Sequence, residues 1–115
     1  MSSQPRPHPG RIDIPTLLIG DLLAREGVYG RTRITRAVAH AQARREQGIA
    51  TYGTALQSHN GRDAAQDLID EQCDATHYAR QRYEETGARH WWLIYERQLG
   101  LWLDTLDLRE RWSGA

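Results

Sequence analysis

The sequence predicts an all-α protein, a small helical bundle of about four helices completed by dimerisation. Apolar residues recur at spacings of three and four, the helical period, rather than two. Residues 62–86 contain neither Gly nor Pro, which leaves room for one long helix. The four Trp residues, Trp91, Trp92, Trp102 and Trp112, exceed what one thin bundle needs, so part of an aromatic face is expected at a subunit interface.

A chain of 115 residues suits one domain, expected over residues 12–115 behind a flexible tail at 1–11. With 39% hydrophobic and 26% charged residues, its composition is that of a folding chain rather than a disordered one. No apolar run reaches the roughly 18 residues of a membrane span, and Met1 to Arg11 lacks the apolar core of a secretory signal. A cytoplasmic protein with no membrane partner is expected, and the single Cys73 suits a reducing compartment. Fifteen basic residues, all Arg, balance fifteen acidic ones, so no global field draws the chain to nucleic acid and direct nucleic-acid binding is not expected.

Three Pro within residues 1–10 favour extended backbone with nothing to bury. Asp13 ahead of Pro15 then supplies a helix start, and Leu17, Leu18, Leu22 and Leu23 give it an apolar side until Gly27. Gly27 to Gly30 breaks this helix, and Thr32 is placed to cap a second one with Ile34, Val38 and Ala41, ending near Gly48. Ile49 to Gly61, with Tyr52-Gly53 and Asn60-Gly61, reads as a loop, since no alternating β-branched runs flank it. A third helix covers about 62–86 and stops at Gly87. A fourth covers about 88–111, with Trp92, Tyr95, Leu99, Trp102, Leu103 and Leu106 on one side.

Asp63, Asp67, Asp70 and Asp74 stand at i, i+4, i+7 and i+11, within about 40° of a common line at 100° per residue. Glu71 flanks the line one turn before Asp74. Like charges at i, i+4 cost a helix about 0.2–0.5 kcal/mol per pair, so the stripe calls for compensation. Two sources are open: arginines from elsewhere (Arg44, Arg45, Arg62 or Arg80), or a hard divalent cation bound through carboxylate oxygens. A plain solvated face remains the third alternative.

Asp70-Glu71-Gln72-Cys73-Asp74, followed by Ala75 and Tyr78, resembles the Glu-Glu-x-x-Asp element that opens a metal-binding helix in the MazG-like all-α nucleoside triphosphate pyrophosphohydrolases. The preceding segment, from Arg44-Arg45-Glu46 through Tyr52-Gly53 to Asn60-Gly61-Arg62-Asp63, is similar to small phage-encoded proteins of that kind. The resemblance spans about residues 41–81. It implies magnesium, or manganese, held by Glu71 and Asp74 with Asp67 and Glu46 as further ligands, and Asp67 or Asp70 orienting a water. It also implies a nucleoside triphosphate substrate, cleaved to monophosphate and pyrophosphate, with Arg44, Arg45, Tyr52, Arg62 and Tyr78 contacting phosphate, ribose or base. The setting would be a host cytoplasm, and a homodimer or higher oligomer could complete the carboxylate set. The preceding helix offers only Glu46 where the family carries a second Glu-Glu-x-x-Glu. An alternative alignment takes Asp70-Glu71-x-x-Asp74 as the first element and Asp104-x-x-Asp107 as the second.

His77 follows Asp74 by nearly one turn and either extends the site or is a surface residue. Cys73 reads as a small buried hydrophobe rather than a nucleophile. The readings to be weighed are therefore an enzyme, a non-catalytic nucleotide-binding protein, and a helical protein-interaction module.

Overall fold

The computed structural model describes residues 4–111, which are helical apart from residues 4–13 and the connections between helices. Among the described residues there are five helices and no strand: α1 (Ile14–Ala24), α2 (Glu26–Tyr29), α3 (Arg31–Tyr52), α4 (Ala64–Thr86) and α5 (Arg89–Arg111). No described helix is long and apolar enough to cross a membrane. The chain forms two compact units, Met1–Arg62 and Asp63–Ala115.

In the first unit α1 starts as its sequence predicts: the Asp13 carboxylate accepts the Thr16 N–H at 3.1 Å, and Pro15 lies in the first turn. The glycine break holds a single helical turn, α2, which is too short to show a period. The N-cap of α3 is Gly30, not Thr32, and α3 continues through Gly48 to Tyr52. An interior glycine costs a helix only about 1 kcal/mol. The stop comes where the backbone turns left-handed, at Gly53 with φ +78°, as α4 stops at Gly87 with φ +66°. Arg45 reaches back from α3 to Asp13, its Nη2 and Nε donating to Oδ2 at 2.7 and 3.1 Å.

The segment read as a flexible tail runs beside the loop after α3. His8, Arg11 and Ile14 donate their N–H groups to the carbonyls of Asn60, Ser58 and Leu56, and Ser58 donates to Ile12, all at 2.8–3.0 Å. An isolated antiparallel bridge joins Asp13 and Gln57. These are main-chain bonds, which any side chain permits, so composition does not announce them. One residue is selected by the pairing: a Cβ on Gly10 would lie 1.9 Å from the Ser58 carbonyl oxygen.

In the second unit α4 and α5 form an antiparallel hairpin, with Asp63 against Arg109 at one end and Tyr83 against Trp92 at the other. Ile69, Thr76 and Ala79 of α4 are buried along a three-and-four line that faces α5. At the turn end, the Arg80 guanidinium lies 5.4–5.7 Å from the ring centres of Tyr83, Trp92 and Tyr95. A cation over three rings, with Tyr83 edge to face on Trp92 and Trp92 tilted against Tyr95, ties the two helices together near the turn. Leu103, counted on the α5 line from sequence, is half exposed and lies off it. No residue of α5 is fully buried.

Burial is sparse. Among the described residues the buried hydrophobic groups are Ile34, Ala55, Ile69 and Ala79, accompanied by Asn60 and Thr76. Truncating Ile34 or Ile69 to Ala should therefore lower unfolding free energy by about 2–5 kcal/mol each, read by urea denaturation. The Gln72 side-chain oxygen is buried with no hydrogen-bond partner among the described residues. Gln72→Leu should raise stability by about 1 kcal/mol, because it removes a desolvated acceptor; a loss would mean that this oxygen is satisfied in solution.

Asp63 caps α4 by accepting the Gln66 N–H at 3.1 Å, and the guanidinium of Arg109 grips the same carboxylate. The Gln66 N–H and then Arg109 hold its pKa below the usual carboxylate value. A folded pKa below the unfolded one stabilises at pH above the unfolded value, about 3.9, and that contribution disappears as pH falls through the folded value. Asp63→Asn keeps a capping acceptor but loses the titration and the ion pair. Its melting temperature should fall below the wild type at pH 7, and the gap should close below about pH 3, read by circular dichroism.

Candidate functional site: the outer faces of the helical hairpin

The acidic line of α4 stands opposite the residues that face α5, since Asp63, Asp67, Asp70 and Asp74 lie about half a turn from Ile69, Thr76 and Ala79. Its members have separate surroundings. Asp63 belongs to Arg109, an arginine that sequence spacing did not single out. Asp67 lies in the first turn of α4, where the positive helix end favours a carboxylate, and is half-buried. Asp70 is exposed and accepts from Gln66 Nε2 at 2.9 Å. Glu71 and Asp74 are exposed, and among the described residues no hydrogen bond or ion pair engages either one.

Of the arginines named as compensation, Arg45 is held by Asp13, Arg44 donates to Gln47 Oε1, and Arg80 pairs with Glu84 beneath the aromatic rings. Arg62 donates through Nη1 to the Pro5 carbonyl at 2.7 Å. Tyr52 is half exposed, with the Arg6 guanidinium 5.7 Å from its ring centre. Glu46 is exposed on α3. These residues of the implied phosphate and metal set lie in the first unit, and Asp67, Asp70, Glu71, Asp74 and Tyr78 lie in the second.

Among the described residues, no group of three or more His, Cys, Asp or Glu side chains comes together in a way that would hold a metal ion. Two hydrated carboxylates with nothing to fix their rotamers are not a preformed magnesium site, so Glu71 and Asp74 of one chain do not by themselves fit the ion. His77 does not extend the pair: its Nδ1 sits 2.7 Å from the Cys73 carbonyl, one turn back along its own helix. Cys73 is half-buried, not fully enclosed.

A second face of the hairpin is apolar. Along α5, Trp91, Ile94, Gln98, Leu101, Thr105 and Leu108 follow one another at steps of three and four, a complete line about a quarter turn from the one that meets α4. Leu101 and Leu108 are 54% and 51% exposed. On α4, Leu68, Ala75 and Tyr78 lie a similar angle from the buried line, and Leu68 and Tyr78 are 51% and 66% exposed. Because the helices are antiparallel, both displaced lines emerge on the same side of the hairpin. Trp92 is spent in the hairpin's own ring cluster, while Trp91 lies on this outer line. Trp102 is half-buried on the line toward α4, and Trp112, the fourth member of the expected aromatic face, lies outside the described residues. The α5 line was legible in sequence as a second three-and-four series; only its exposure required coordinates.

No family model matches this chain, and no curated protein or solved structure matches it.

Proposed function

We propose that the protein is a helical interaction module whose work is done by the α4/α5 hairpin. One observation carries the reading: α5 has two lines of helical spacing and the hairpin covers one. Single exposed leucines are ordinary on protein surfaces, but a periodic apolar line shared by two neighbouring helices is the signature of a face that meets another helix. The occupant is therefore a helical surface presenting its own three-and-four pattern. Photo-crosslinking amino acids placed at Leu101 and at Asp104, which points away from both lines, test this in the cell of origin. A discrete adduct from position 101 and none from 104 is expected; equal yields, or none from 101, would refute the module.

The second reading is a magnesium-dependent enzyme that converts a (d)NTP to monophosphate and pyrophosphate, with ligands from more than one chain. It is supported by the resemblance of Asp70-Glu71-x-x-Asp74 to the MazG-like element and by the lack of any arginine on Glu71 and Asp74. A panel of (d)NTPs assayed with and without magnesium, alongside Glu71→Gln and Asp74→Asn, decides it. Metal-dependent pyrophosphate release that either substitution abolishes would establish turnover, and an inert wild type across the panel removes it.

A further inference from the structure

We infer that the apolar face of the hairpin is covered by a second copy of this chain, with α4 packed antiparallel against α4 and α5 against α5 in a four-helix bundle. The inference rests on the interaction-module reading and names its partner.

The charges on the face select this occupant. The α5 line has no charged member; the α4 line carries Glu71 and Arg82, both exposed, opposite in sign and eleven positions apart, with Glu85 one step beyond Arg82 at its end. When one α4 crosses its copy antiparallel, a register that sets Glu71 against Arg82 also sets Arg82 against Glu71. Two ion pairs then form from one sequence relation, as an isologous two-fold interface requires. A parallel crossing in register would instead bring like charges together. The step of eleven residues, three turns, keeps both groups on one line and puts them roughly 16 Å apart along the axis. Arg82 now makes an exposed contact with Glu85 at 3.3 Å, a pair of little worth in water, so giving it up costs little, and the desolvation of Glu71 is offset by its pairing with Arg82 of the other copy.

The apolar part of the face is compatible with the same two-fold. Antiparallel crossing sets the Trp91 and Ile94 end of α5 against the Leu101 and Leu108 end of the other copy, bulky groups at both ends with Gln98 near the middle. A polar residue at such a position fixes register and partner number. The acidic line of α4 stands about a quarter turn away and stays in water. The hairpin also lacks burial of its own: Ile69, Thr76 and Ala79 are its only buried residues among those described, and a unit of this size is marginal as a solitary core.

Sedimentation equilibrium on the full chain, with circular dichroism as the check on folding, tests the pairing. Dimer is expected at concentrations in the range of tens of micromolar. Glu71→Arg and Arg82→Glu should each weaken association about tenfold or more with helicity unchanged, and the double reversal should recover most of the loss. Leu101→Asp should give a helical monomer. A wild type that stays monomeric into the hundreds of micromolar overturns the inference, as does a double reversal no better than either single one. The module reading is judged separately: an adduct from position 101 to a different protein, with a monomeric wild type, removes the second copy and keeps the docking face. The absence of an adduct from position 101 to any protein, a second copy of this chain included, removes the docking face itself.

Discussion

Each unit of this protein is closed by one aspartate doing two jobs. Asp13 and Asp63 cap the first long helix of their units, and each is also gripped by an arginine from the last helix of the unit, Arg45 and Arg109. A helix start leaves several N–H groups without partners, and a carboxylate there is favoured both by those donors and by the helix dipole. Adding a guanidinium to a carboxylate that is already fixed costs little further ordering, so the contact joins two elements at a point neither is free to leave. Both aspartates are held below their usual pKa by these donors. In the second unit the pair also sets the register of the hairpin, because it fixes which turn of α5 lies beside the start of α4.

That constraint decides what remains for function. Asp63 is paired with Arg109 and Arg45 with Asp13. On the hairpin, what is left uncommitted is Glu71 and Asp74 in water and a periodic face rich in apolar groups; the first unit also exposes Leu17, Leu18, Leu23 and Val28, without a second helix sharing their line. Of these the apolar face is the more demanding physically, because exposed carboxylates are at rest in water and leucine, isoleucine and tryptophan recurring along one line, interrupted by Gln98 and Thr105, are not.

Helices α4 and α5 were legible in the sequence almost to the residue, because breaker, cap and period all agree there: Asp63 before, Gly87 between, no proline within. The end of α3 was less so, since the cost of Gly48 in a helix interior is small and only the backbone angle at Gly53 distinguishes the two glycines. The pairing of residues 8–14 with the loop at 56–60 had no signal, being made of main-chain groups. For the candidate site, the alignment of the four aspartates followed directly from spacing, but their partners did not. Arg109 lies 46 positions from Asp63, and nothing local distinguishes it from the other arginines. Whether a carboxylate is compensated is a tertiary fact, and here it separates Asp63 from Asp74 on what reads as one uniform stripe.

The acidic line nonetheless has a physical consequence even where it binds nothing. A helix with three-and-four patterning on more than one side can pack in more than one way, and α4 has Leu68 and Tyr78 on one flank and half-buried Cys73 on the other. Carboxylates along the side facing away from α5 make any packing that would bury that side costly, since each would be desolvated beside others of the same sign. Packing against the back of the hairpin is thereby disfavoured, and the flank carrying Glu71 and Arg82 is where apolar area and complementary charge occur together. A stripe that looks like a binding element in sequence can thus act by repulsion, directing contact to the face a quarter turn away.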